Sequence, residues 1–385
     1  MIKMYSAFTE EADDAAAAIS ELEGALAGGG GLLAHSIGLV HCHQDFVTSG
    51  VLRAISEQFA FPVVGITTNS AANDAGYSAF GLGLQVLTSD DVRFEAGITG
   101  SVKGNPREAL APLVGRICGG GGEPAKFLLA YAPLIIGQSG DSIVKAITEL
   151  SGGLPVFGSL PISDEADFAD SAVLYEGEAY LEAAALIGFF GEIDPVFFTI
   201  DVKDENILKT DALITRAEDN ILYCINGMPT AQYTESINLA AAGGLESLLS
   251  TPFVLDCPDG ARLVRSCFSN GPCGSAVLGG DACTGAKVGF AVTEPKDIVE
   301  TAAVAAERAL LSKGGRGAVF MYSCAGRIWS LGMDDMAEIE KVRSLLLGQM
   351  PFFLAYSGGE LYPQLAGDGA VINTMQNHSL VVCVL

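Results

Sequence analysis

Pro62-Val63-Val64-Gly65, Pro155-Val156-Phe157-Gly158 and Pro351-Phe352-Phe353-Leu354 are the three runs that decide the fold. Gly65 and Gly158 lie 93 residues apart, and each run closes a similar succession of signals. Upstream of each stand a helical segment, an apolar strand, a glycine cluster and an alanine-rich helix. Thr9, Thr99 and Thr293 open the three copies, after the short apolar stretches Ser6 to Phe8, Ala96 to Ile98 and Gly289 to Val292. Gly28 to Gly31, Gly119 to Gly122 and Gly314 to Gly315 close the first helices. A unit of about ninety residues spelled three times signals duplicated supersecondary units that bury a shared core. The expectation is an α/β protein of repeated βαβ units forming mixed sheets.

Bulk composition fits that class. The chain has 385 residues, 49% of them hydrophobic, and a mean hydropathy of +0.38. Gly, Pro, His or Gln interrupts every long apolar run, including Phe127 to Gly137, so the apolar content reads as strands buried on both faces and no membrane span is expected. Net charge is -25, with 21 Lys and Arg, which argues against nucleic acid and anionic membranes as partners. Met1 to Phe8 carries one Lys and no apolar core, so a cytoplasmic location is expected.

The nine cysteines form no CxxC pair and read as free thiols in a reducing compartment. Cys257, Cys267, Cys273 and Cys283 lack the paired spacing of a zinc ribbon and read as small strand residues. His41-Cys42-His43 ends an apolar strand, and alternation puts both His on one face, which makes these three weak metal candidates. No GxGxxG follows a strand and no Walker lysine occurs, so the glycine clusters read as helix stops and no cofactor is expected.

Thr9 before Glu10-Glu11 reads as a helix start, Gly28 as a left-handed stop, and Thr293 with Pro295 and Gly314 as the bounds of the third copy's first helix. Asp334 to Leu347 reads as the last long helix. Ala172 to Tyr175 and Tyr180 to Phe189 read as a hairpin turning at Glu176-Gly177-Glu178, followed by a charged linker at Lys203 to Glu205 and Lys209 to Asp211. Residues 212–292 alternate in short strands with turns at Asn226-Gly227, Asp259-Gly260 and Gly279-Gly280, an antiparallel β insert ahead of the third copy. Two domains are expected, 1–205 and 206–385.

Specific strings then resemble a known family. Ile214-Thr215-Arg216-Ala217-Glu218 and Leu222-Tyr223-Cys224-Ile225-Asn226-Gly227-Met228-Pro229, with Tyr233 downstream, resemble the opening of the FIST C-terminal domain. Ser323-Cys324-Ala325-Gly326-Arg327, Gly359-Glu360 and Asn377-His378-Ser379-Leu380-Val381-Val382 are similar to its closing motifs. Phe61-Pro62-Val63-Val64-Gly65-Ile66-Thr67-Thr68 is similar to the FIST N-terminal run PVVGCSTAG, with Ile66 in place of its Cys. The resemblance implies a sensory module for signal transduction that binds a small ligand such as an amino acid, with a signalling partner encoded separately.

Ligands of parallel α/β sheets sit at the carboxyl ends of strands. That edge is expected to present Thr67, Thr68, Ser323, Cys324, Arg327, Tyr356 and Glu360, with Asn377 and His378 nearby. Arg327 is expected to hold a ligand carboxylate and Glu360 an ammonium group, as an amino acid requires. The bland alternative pairs Arg327 with a carboxylate of the protein itself. Two other functions compete. One is a cysteine hydrolase or amidase with Cys324 as nucleophile, His378 as base and Glu360 as orienting group. The other is a protein assembly module that uses exposed edge strands of the insert.

Overall fold

The computed structural model describes residues 2–119, 123–165, 167–239, 250–258, 260–365 and 371–385, so Gly120 to Gly122 and Asp259 lie outside the described residues. Three six-stranded sheets follow one plan. The first unit contains β1 (Lys3–Thr9), α1 (Ala15–Ala27), β2 (His35–Cys42), α2 (Asp45–Thr48), α3 (Val51–Gln58), β3 (Val63–Thr67), β4 (Ala71–Asn73), β5 (Tyr77–Ser78) and β6 (Leu82–Ser89). The second contains β7 (Arg93–Ser101), α4 (Pro106–Gly119), β8 (Ala125–Tyr131), α5 (Gly140–Ser151), β9 (Val156–Leu160), β10 (Val173–Tyr175), β11 (Glu178–Tyr180) and β12 (Ala183–Phe190). The third opens on β13 (Val196–Ile200) and is interrupted by the insert. The insert comprises β14 (Ile207–Glu218), β15 (Ile221–Ile225), β16 (Met228–Pro229), α6 (Thr230–Ser236), β17 (Phe253–Asp256), β18 (Arg262–Arg265), β19 (Cys267–Asn270), β20 (Ala276–Leu278) and β21 (Lys287–Ala291). The third unit resumes with α7 (Pro295–Ser312), β22 (Val319–Cys324), α8 (Ala325–Leu331), α9 (Ala337–Leu346), β23 (Phe352–Ser357), β24 (Gly359–Leu365), β25 (Val371–Gln376) and β26 (Leu380–Val384).

The pairs β2/β3, β8/β9 and β22/β23 are parallel, and the last and first strands of each unit add to them in antiparallel fashion. The other edge of each sheet is filled by a hairpin from a different unit. The β4–β5 hairpin pairs with β23, β10–β11 with β3, and β24–β25 with β9. The exchange is cyclic, so no unit completes its own sheet.

The motif glycines have a steric reason. A Cβ on Gly65 would lie 1.6 Å from the Val40 carbonyl oxygen, and one on Gly158 1.9 Å from that of Ala130. Only Gly permits this approach between the parallel strands.

One apolar core draws its side chains from all three sheets, among them Ile37, Leu39, Phe127, Leu129, Phe157, Phe320, Phe353 and Val381. Helices cover the opposite face of each sheet: α1 and α3 on the first, α4 and α5 on the second, α7 and α9 on the third. Strands apolar on both faces account for the high hydropathy. No helix among the described residues is long and apolar enough to cross a membrane.

Several local expectations are corrected. The third unit begins at β13, whereas Gly289 to Ala291 belong to β21 of the insert and Val292 follows it, because β13 supplies the strand that pairs with β26. The hairpin at Glu176-Gly177 joins β10 to the short β11, and Ala183–Phe190 is a separate strand in another sheet. Lys209 to Asp211 fall within β14. Asp14 rather than Thr9 caps α1, accepting the amides of Ala16 and Ala17, and Gly28 stays right-handed while Gly30 and Gly31 take positive φ. The last long helix covers Ala337–Leu346. Cys257 and Cys283 are joined by a disulfide, against the reading of free thiols, because β17 and the turn before β21 bring them together.

The insert curls on itself. In its strand path β18 and β19 stand at opposite ends, yet only Ser266 separates them in the chain. The continuous segment joins both edges around a core of Ile214, Leu222, Leu255, Leu278 and Phe290.

Candidate functional site

The shared plan makes three rows of residues equivalent. Across each parallel pair and onto the donated hairpin they read His41–Ile66–Val173, Tyr131–Ser159–Glu360 and Tyr322–Ala355–Ala71. The first members converge from the three units: Tyr131 Oη and Tyr322 Oη are 2.7 Å apart, and each is 3.3 Å from His41 Nε2. His41 Nδ1 lies 3.1 Å from Gln85 Oε1. Burial pushes the His41 pKa down to about 3, so its ring is neutral. This layer is polar but closed on itself.

The second and third members break the symmetry. Where the other rows place Val173 and Ala71, the Tyr131 row places a carboxyl, Glu360, which is 0% exposed. Ser357 Oγ donates to its Oε1 at 2.6 Å and Ser379 Oγ to its Oε2 at 2.7 Å. Burial pushes the Glu360 carboxyl up to about 8 against these hydrogen bonds, so the acid is protonated at neutral pH.

Buried polar atoms without a hydrogen-bond partner include Ser159 Oγ in the same row and, in the segments before β19 and β26, Ser266 Oγ, Asn377 Nδ2 and His378 Nδ1. Ser159 faces Glu360 in register, and Asn377 Oδ1 accepts the Ser266 amide at 3.3 Å. The Asn377 amide sits against Gly279 and Gly359, whose missing Cβ atoms leave it room. His378 holds a positive φ of 55° at the turn into β26, and its Nε2 lies 3.1 Å from Thr293 Oγ1. Burial, then the nearby Arg327 charge, lowers its pKa to about 3. These atoms belong to a strand of the second unit, the connection between β25 and β26 of the third, and the insert at Ser266. A buried polar group without a partner costs roughly 1–3 kcal/mol, and such a cluster is a mark of function more than of folding.

Arg327 lies elsewhere in the same edge. Its guanidinium, 1% exposed, donates from Nε and Nη2 to Glu338 Oε1 at 3.0 and 2.7 Å, and from Nη2 to Thr301 Oγ1 and the Ile298 carbonyl. Glu338 Oε2 accepts from Ser323 Oγ and Tyr356 Oη, each at 2.9 Å. Arg327, Ser323 and Tyr356 are thus bound together by Glu338. Arg327 and Glu360 do not form the two-pronged clamp expected for a zwitterion, because an internal carboxylate already fills the guanidinium fork.

Cys324 packs beside Glu360, and burial followed by the Glu360 charge pushes its thiol well above the ordinary range. That direction disfavours the thiolate that nucleophilic catalysis needs. Thr67 and Thr68 bond to strand neighbours, Thr67 Oγ1 with the Ala172 backbone and Thr68 Oγ1 with the Ser70 and Tyr356 carbonyls. His43 turns outward to Asp45 and Asp164, Cys42 is buried, and no three His, Cys, Asp or Glu side chains among the described residues are placed to hold a metal ion.

Sequence reasoning missed Glu338, Ser159, Ser357 and Ser379. Glu338 had a legible signal: it stands four residues before Val342 on the apolar stripe of its helix, where an acid needs a buried partner.

The strings shared with a known family lie on these elements. A family model of the FIST N domain matches residues 36–228, and one of the FIST C domain matches residues 231–363. The chain belongs to the FIST family. FIST domains are sensory domains of signal transduction, and most of this FIST protein's length is covered by the two matches. No curated protein matches the chain. In this FIST protein the N-terminal match contains Ser159 and the C-terminal match contains Glu360, so the candidate site is shared between them.

Proposed function

We propose that this FIST protein senses a small polar metabolite, an amino acid among the candidates, bound at the Glu360 cluster and reported to a separate signalling protein in the cytoplasm. The observation that carries the reading is the Tyr131–Ser159–Glu360 row, the one row of three with a buried acid, in which Ser159 Oγ has no hydrogen-bond partner. A hydroxyl donor, or an ammonium group whose charge would drive off the Glu360 proton, would engage Glu360, while Asn377 Nδ2 and His378 Nδ1 would meet an acceptor. Arg327, Ser323 and Tyr356 frame the site through the Glu338 network with Cys324 beside them, and Thr68, next to Thr67, ties the first unit to it at the Tyr356 carbonyl. Every described member of the cluster is buried, so entry requires the turn around Asn377 and His378 to open.

Thermal shift against a metabolite panel tests the reading, since a ligand at ~100 times its Kd adds about 2.7 kcal/mol of stability. A hit whose shift disappears in Glu360→Gln and Asn377→Ala supports the site. A flat panel, or a hit indifferent to both substitutions, removes it.

A further inference from the structure

At the opposite, amino-terminal end of the parallel strands, a groove of about 690 Å³ opens between the second and third units. Lys126 at the start of β8 and Arg308 of α7 line it, with Phe197, Ile193, Tyr362 and Gln364 among its walls. Among the described residues no carboxylate lines it. That is a marked bias in a chain with 46 Asp and Glu against 21 Lys and Arg. Neither cation belongs to an ion pair among the described residues, and the Arg308 guanidinium is held over the Phe198 ring, 4.3 Å from its centroid.

Two other grooves show the contrast. The one that shares Ile193 sets Lys3, Lys313 and Arg316 beside Glu192 and Asp194. The one beneath the insert has its cations taken: Arg265 pairs with Asp141 and Lys145 with Asp281. In the first, Lys126 and Arg308 stand beside Phe197 and Tyr362 with no carboxylate among the described lining residues. Its volume falls in the usual range for small-molecule sites, about 300–1,000 Å³.

We propose that this groove is a second ligand site, for an anionic metabolite whose carboxylate or phosphate is met by Lys126 and Arg308 and whose flat or apolar body lies on Phe197 and Tyr362. It is independent of the Glu360 cluster. Titration calorimetry with benzoate, phenyl phosphate and neutral benzamide tests it on the full chain at low salt. At least one anion is expected to bind at least tenfold more tightly than benzamide, and more weakly as salt rises. The Lys126→Gln/Arg308→Gln pair is expected to lose at least tenfold, Lys126→Arg/Arg308→Lys to retain most of the binding, and Glu360→Gln to leave it unchanged. Equal binding of benzamide, no binding of either anion, or full affinity in the Gln pair overturns the proposal. Loss in Glu360→Gln would move the anion to the other site and overturn it as well.

Discussion

Glu360 and Ser159 face each other across β24 and β9, although one belongs to the third repeat and the other to the second. A hairpin exchanged between repeats thereby places a buried acid where the equivalent positions hold Val173 and Ala71.

That acid sets a pH dependence. Its pKa is raised from 4.5 to about 8, so the folded protein keeps the proton after the unfolded chain has lost it. Stability is full below pH 4.5 and falls as pH rises toward 8. Glu360→Gln should remove this loss and gain on the order of a few kcal/mol at pH 8 over wild type, with little gain at pH 4.5, in urea unfolding. Equal gains at both values would mean that Glu360 is not held protonated.

His41 and His378 act with the opposite sign. Each has a folded pKa lowered from 6.5 to about 3, so the unfolded chain takes protons first and stability falls as pH drops below 6.5. Replacing His378 with Gln should flatten the acid limb of the stability profile, and an unchanged limb would show that His378 is already charged in the native state.

Removing one partner of the buried Arg327–Glu338 pair should be costly. Arg327→Ala leaves Glu338 uncompensated and should cost about 3–5 kcal/mol, while the double change to Met and Leu should recover much of it. Denaturant midpoints for the single and double variants decide this, and a neutral Arg327→Ala would show the guanidinium to be dispensable.

Much of the architecture was legible because a repeat writes its core three times: the Pro-Val-Val-Gly and Pro-Val-Phe-Gly runs are the third strands of their units, and Gly65 and Gly158 are there for a close approach. The exchange of hairpins was not legible, since a strand such as Ala71–Asn73 reads alike whichever sheet it joins. For the same reason Gly289 to Val292 read as the third unit's opening strand although β21 belongs to the insert. Cys257 and Cys283 are separated by 26 residues, and their pairing follows from the curl of the insert rather than from spacing. At the site, the residue types at the strand ends were readable, but which acid Arg327 would choose depended on a helix turn carrying Glu338.

Thiol chemistry separates sensor from hydrolase. Iodoacetamide on the native protein should modify exposed Cys273 first and leave buried Cys324 intact near neutral pH. In denaturant, seven cysteines should react before reduction, the two of the Cys257–Cys283 disulfide only after it. Rapid labelling of Cys324 that is lost in His378→Ala would restore the nucleophile reading.

The most direct measurement is a crystal structure of the protein with the strongest hit from the metabolite panel. The account predicts the ligand within hydrogen-bond distance of Glu360 and of Asn377 Nδ2 or His378 Nδ1, with the Arg327–Glu338 pair undisturbed. A ligand seated only in another groove, with the Glu360 cluster unchanged around it, would contradict the account.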